Sequence, residues 1–234
     1  DKRQSLYLQQ IFKLFDLLGF AEKKKKHIDY DFVTLPDGAM SSRKGNIVTF
    51  ADLFAEVLAK SFAETKNRHA DWSEEKLKMT AEKIALAGIK FFLLKYDNSS
   101  VIVFDIDKAL AFEGDSGVYL LYVVSRINSI LRKEKSSKFL LDLSVLTSLA
   151  ERNLLRKIDD FAEVLQKANE TDALNGLSTY LIELAQIFNN FYHECPVLTA
   201  EKKIKKARLR LCEKVKEIMT QGLNILNIGT LEEM

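Results

Sequence analysis

Two stretches of this 234-residue chain gather side chains with the chemistry to hold a nucleotide or a nucleic acid. The first is Leu35-Pro36-Asp37-Gly38-Ala39-Met40-Ser41-Ser42-Arg43-Lys44-Gly45-Asn46-Ile47-Val48. Gly38 and Gly45 can take backbone conformations closed to other residues, which frees amides to face an anion. The hydroxyls of Ser41 and Ser42 can donate to phosphate oxygens. Arg43 adds a fork of donors and Lys44 a compact charge, so the two could neutralise a leaving pyrophosphate. A polar hairpin with exposed cations uses the same residue types, and the loop by itself leaves both readings open.

The second stretch runs from Phe112 to Ile127 and contains Tyr119, Tyr122 and Arg126. On a helix these sit at i, i+3 and i+7 and share one face. Aromatic rings beside a guanidinium suit the stacking of unpaired bases and the holding of phosphate, as single-stranded RNA requires. Packing of both tyrosines in a core is the competing reading. A basic run adds to the second theme: between Glu201 and Lys216, eight Lys/Arg stand against two Glu. Lys23 to Lys26 form another. Such patches fit phosphate, although a charge run also serves as a solvated helix face.

The elements that must position these residues follow from the hydropathy pattern. With 47% apolar residues the chain can bury a core, and with only 2 prolines and 9 glycines it favours long helices. Leu6, Ile11, Phe12, Phe15 and Leu18 recur at helical spacing and stop at Gly19. Alternation at Ile28, Tyr30 and Phe32 predicts a strand over 28–35, Ile47–Phe50 a second, and Val101–Asp105 a third at an edge. Asp52 is expected to cap a helix over about 53–66, and Ser73 another reaching about Tyr96. From Asp115 onward the pattern is helical throughout, with helices expected at 116–134, 142–168, 172–193 and 200–220 and a short piece at 223–228. Short polar linkers imply an antiparallel bundle. The reading is therefore mainly α: a mixed α/β part over residues 1–112 and an all-α part over 113–234.

Other function classes find little support. Cys195 and Cys212 lack a metal-site spacing and read as reduced, buried thiols, and the three histidines are scattered, so no metal site is expected. No apolar run of about 18 residues and no signal peptide occur, so a soluble cytoplasmic protein without membrane contact is expected. The first residue, Asp1, falls inside what reads as a helix, a hint of a longer parent.

The motifs carry a family resemblance. Met40-Ser41-Ser42-Arg43-Lys44-Gly45-Asn46 resembles the second signature loop (K-M-S-K-S) of class I aminoacyl-tRNA synthetases, in the arginyl spelling M-S-T-R-x-G. Ala39 stands where the family usually has Lys, and Ser42 replaces the second signature Lys; Lys44 is the substitute for the missing phosphate contact. The stretch Phe112–Ile127 is similar to the segment F-x-G-D-T-G-P-Y-x-Q-Y-x-x-x-R-I that opens the α-helical anticodon-binding domain, with Leu121 in place of its Gln. Phe188–Leu198 and the final Gly222–Gly229 with Glu232-Glu233-Met234 resemble its closing helices, Glu233 replacing an Arg.

The resemblance covers nearly the whole chain. It implies the end of a class I Rossmann-type catalytic domain over 1–112, with its signature loop and helical junction, then the anticodon-binding bundle over 113–234. It implies joining of arginine to its tRNA with ATP as substrate and Mg²⁺ on the phosphates, in a monomer. Met40, Ser41, Ser42, Arg43 and Lys44 would serve catalysis, and Gly38, Gly45 and Lys44 would hold ATP. Tyr119, Tyr122, Arg126, Tyr192 and Met234 would contact the anticodon. No H-I-G-H-like signature occurs in the sequence, so arginine activation by this chain alone is not expected. A cysteinyl-type synthetase and a non-catalytic helical RNA-binding module are the alternatives.

Overall fold

The computed structural model of the chain describes residues 1–36, 48–134 and 142–234. The signature-loop residues Gly38, Met40, Ser41, Ser42, Arg43, Lys44 and Gly45 lie outside that set, as does Ile47. The chain opens with a 3-10 turn (Lys2–Gln4), helix α1 (Ser5–Phe15) and a π-turn (Asp16–Phe20). Gly19, at φ +92°, takes a left-handed conformation that ends this segment. No residue of 1–36 is buried.

The expected strand over 28–35 shrinks to β1 (Val33–Thr34), which pairs in parallel with β2 (Ile102–Val103). Ile28 and Tyr30 alternate in sequence yet are exposed at 58% and 64%, because no neighbouring strand among the described residues covers them. The parallel pair needs a crossover, and α2 (Phe50–Arg68) and α3 (Glu74–Leu94) supply it. The strand expected up to Phe50 is replaced by a helix start. Thr49, not Asp52, is the N-cap: its hydroxyl accepts from the Asp52 amide at 3.2 Å, while Asp52 accepts from the Thr49 amide at 3.1 Å. Asp52 is thus the third residue of a capping box. Ser73 caps α3, as expected.

A single-turn helix, α4 (Ile106–Ala109), leads to the bundle of α5 (Gly117–Lys133), α6 (Leu149–Asp159), α7 (Phe161–Thr171), α8 (Asn175–Glu194) and α9 (Lys202–Ile225). The one long helix expected over 142–168 is two. Ser148 and Glu151 form a capping box that starts α6, and the chain turns at Asp160 so that Phe161 is buried 5.6 Å from the Tyr180 ring. The first half of the piece expected at 223–228 belongs to α9, which runs on to Ile225.

Helix α3 is the wall shared by both cores. Ala85, Ile89 and Phe92 pack with Val57, Phe104 and Ala109 on the strand side. Ile84, Ala87 and Phe91 belong to the larger core with α5, α8 and α9. At the crossing, the first residue of α5 is Gly117, where a Cβ would lie 2.3 Å from the Ala87 carbonyl oxygen. Only glycine permits that approach.

Candidate nucleic-acid interface

The Phe112–Arg126 stretch is placed by the start of α5. Gly114, at φ +79°, turns the chain, and the Ser116 hydroxyl donates to the Ala111 carbonyl and accepts from the Tyr119 amide at 2.9 Å. With α5 anchored on α3, its next two turns point Tyr119, Tyr122 and Arg126 toward α8. Their shared face, inferred from spacing, is a hydrogen-bonded unit. Arg126 Nη2 donates to the Tyr122 hydroxyl at 2.7 Å and Nη1 to Asn189 Oδ1 at 2.8 Å, and Asn189 Nδ2 donates to the Tyr119 hydroxyl at 2.7 Å. The guanidinium carbon lies 4.7 Å from the Tyr122 ring centroid and 5.7 Å from that of Tyr192.

The unit lines a cleft of about 460 Å³ together with Arg68, Phe112, Gln186 and His193. Arg68 lies 3.7 Å over the Phe112 ring and also donates to Glu64 at 2.7 Å. Tyr119 is the deepest member, 8% exposed. Burial pushes its phenol above the ordinary tyrosine range, against the opposing pull of Asn189 and Arg126, so it remains a neutral donor and acceptor. Tyr122 and Arg126 are half-buried and face the opening. The cleft offers rings, a fixed guanidinium and an amide, the inventory for stacking a base and holding a phosphate rather than for proton transfer.

Not every expected residue converges there. Tyr192 packs on Phe188, with ring centroids 6.3 Å apart, and meets the cleft through Arg126 and the edge of His193. Met234 is not a lining residue; it is partly buried against the bundle core. Arg68 and Asn189 were missed by sequence reading. Asn189 sits three residues before Tyr192, a helical-face signal, whereas Arg68 gives none because it arrives from another helix.

The tail is held in its own seat. The Leu231 carbonyl accepts from Ser125 Oγ at 3.2 Å and Asn128 Nδ2 at 3.1 Å, and Arg132 donates to the Glu232 carbonyl at 3.1 Å. Glu233 pairs with Lys76 at 2.8 Å and Arg132 at 3.7 Å. The Lys76 hydrogen bond and charge, assisted by Arg132 and His69, hold its carboxyl below the usual carboxylate range.

The basic stretch of α9 is partly neutralised. Lys205, Arg208, Arg210 and Lys214 pair with Glu134, Glu151, Glu213 and Glu217. The Arg208–Glu151 pair is interior, Glu151 being 1% exposed. Burial alone would raise the Glu151 carboxyl, but the Ser148 amide and Arg208 outweigh it and hold it below the ordinary range. Both cysteines are free and buried, and burial pushes the Cys212 thiol up to about 12.

Strand β1 ends at Thr34 and α2 begins at the Thr49 cap. Residues 1–106 match the family described as tRNA synthetases class I (R), catalytic domain, and residues 120–234 match the DALR anticodon binding domain. The chain belongs to the arginyl-tRNA synthetase family. It is 37% identical over 238 aligned residues to an arginine–tRNA ligase of Bdellovibrio bacteriovorus, covering all of this chain and 41% of that protein. A second relative, from Fusobacterium nucleatum, is 32% identical over all of this chain and 42% of its own length. The solved arginyl-tRNA synthetase of Thermus thermophilus superposes with a TM-score of 0.80 at 31% identity, over 88% of this chain and 35% of that one. The chain thus spans about two fifths of the length of the curated relatives it matches. No helix of the described residues is long and apolar enough to cross a membrane.

Proposed function

We propose that this chain supplies the anticodon-reading bundle and the second ATP signature loop of an arginine–tRNA ligase, acting in the cytoplasm as a monomer. The boundary between the two parts falls at about residues 112–113, where the chain leaves β2 and α4 for α5. The observation that carries the reading is the Tyr119–Asn189–Arg126–Tyr122 unit. It fixes the Tyr122 ring and the Arg126 guanidinium at the mouth of a cleft, with Tyr119 beneath them, and so lowers the ordering cost of holding an unpaired base. Tyr192 and Met234 extend the same RNA-facing role.

In the ligation, Met40, Ser41, Ser42, Arg43 and Lys44, with Gly38 and Gly45, would hold the ATP phosphates and stabilise charge on departing pyrophosphate. Mg²⁺ would ride on those phosphates. No group of three or more potential metal ligands among the described residues offers it a protein seat. Because no H-I-G-H-like signature occurs in the sequence, the chain by itself binds the arginine tRNA without activating arginine.

The test compares anticodon stem-loops of arginine and cysteine tRNAs over a salt series. A preference for the arginine stem-loop is expected, and Tyr122→Ala should weaken its binding by about 1–3 kcal/mol. Equal, shallow binding of both stem-loops would overturn the reading in favour of a generic RNA-binding module. ATP–pyrophosphate exchange by the chain alone would overturn the division of labour.

A further inference from the structure

The tail and the RNA cleft are built on the same two elements. Helix α5 gives Tyr119, Tyr122 and Arg126 to the cleft and Ser125, Asn128 and Arg132 to the tail. The end of α2 and start of α3 do likewise. Arg68 lines the cleft. The next residue, His69, stacks on Trp72 with ring centroids 3.9 Å apart, and Lys76 lies 3.7 Å over the Trp72 ring before reaching Glu233. A chain of contacts therefore runs from His69, the neighbour of Arg68, through Trp72, Lys76 and Glu233 to Arg132 on α5, the helix that also carries Arg126, and Arg68 and Arg126 line the same cleft.

Beside the Lys76–Glu233 pair, α3 and the tail are separated by a cleft of about 320 Å³ lined by Ser73, Met79, Thr80, Lys83 and Leu231. Packing alone does not close this gap. Lys90 holds the turn before the tail, donating to the Asn227 carbonyl at 2.5 Å, but the last residues reach α3 through Glu233.

We propose that Lys76 and Glu233 are positioning residues: a clasp that seats the C-terminal tail and, through α5 and the α2–α3 connection, sets the Tyr119–Arg126 cleft for RNA. The pair lies at the surface, so its effect is modest but specific, and coupling rather than magnitude identifies it. The RNA half of the proposal rests on the function proposed above.

The experiment is a double-mutant cycle on the 234-residue chain with Lys76→Met, Glu233→Gln and the pair together. Two readouts are taken: amide hydrogen exchange of the tail, and the ratio of affinities for the arginine stem-loop and a non-cognate one. Using a ratio cancels the general gain or loss of charge. Each single variant should speed tail exchange and lower the ratio about threefold, and the double variant should be no worse than either single. Lys78→Met, which removes a cation paired along α3 with Glu74, should leave both readouts unchanged. Effects of the singles that multiply in the double variant, or a loosened tail with an unchanged ratio, would overturn the positioning role. If the unmodified chain shows no preference, the proposed function falls and the RNA role of the clasp falls with it. Tail exchange then decides separately whether the clasp holds the tail.

Discussion

Residues 1–36 and helix α5 are both rich in apolar residues and meet opposite fates. In α5, eleven of 17 residues are buried, Val118, Leu120, Leu121 and Ile127 completely. In the first 36 residues none is buried, and Leu6, Leu17, Leu18 and Phe20 stand 68%, 74%, 62% and 53% exposed. Periodic apolar spacing forms a helix in both places. Only partners convert that spacing into stability, because the hydrophobic contribution scales with the area actually removed from water. Most of the buried core therefore lies outside the amino-terminal segment, which is tied to the rest of the chain by the β1–β2 pairing, the half-buried Val33 and Leu35, and polar ties such as Lys26 to Asp172.

The contrast is broken most forcefully at the Arg208–Glu151 pair. Arg208→Met leaves a carboxylate buried without its partner and should cost about 3–5 kcal/mol in urea unfolding. Replacing both residues with apolar ones of similar size should recover most of that loss. The same pair gives a pH signature. The folded Glu151 carboxyl lies below its unfolded value of 4.5, so its contribution is complete above that pH and is lost as the pH falls below it. An acid titration of stability should show this component in the unmodified chain and not in Arg208→Met.

Next in size is Gly117→Ala, whose added methyl would meet the Ala87 carbonyl and the Phe91 side chain at 2.3 and 2.8 Å. A loss of about 1–3 kcal/mol is expected, with the near-ultraviolet signal of the bundle altered. Smallest is Leu17→Ser, at a side chain that is 74% exposed. It should change stability by no more than about 0.5 kcal/mol. A loss comparable to that of Gly117→Ala would show that the amino-terminal segment contributes to the core after all.

The same contrast explains what the sequence made legible. Bundle helices were readable because each buries one stripe: 116–134 was expected and Gly117–Lys133 is found. The break at Asp160 was not, since apolar spacing continues through it and only the packing of Phe161 on Tyr180 turns the chain. The strand at 28–35 misled because alternation implies a half-buried sheet, and the observed ladder is two residues long. In the cleft, Tyr119, Tyr122 and Arg126 were legible from spacing on one helix. Arg68 comes from another helix, and Asn189 joins Tyr119 across 70 positions, a relation that no local pattern encodes. Glu233 read as the loss of a cation; the structure pairs it with Lys76 and Arg132 instead.

The close approach at Gly117 has a mechanical consequence. Where side chains separate two helices, rotamer changes can absorb small rotations. Here the Ala87 carbonyl faces bare backbone, and at this point of the crossing no side chain of α5 stands between the two helices. The crossing is a keyed joint rather than a hinge. Torque applied to α5 at its tyrosine end passes into α3, and from there to the small core of Ala85, Ile89 and Phe92 beneath the parallel strands.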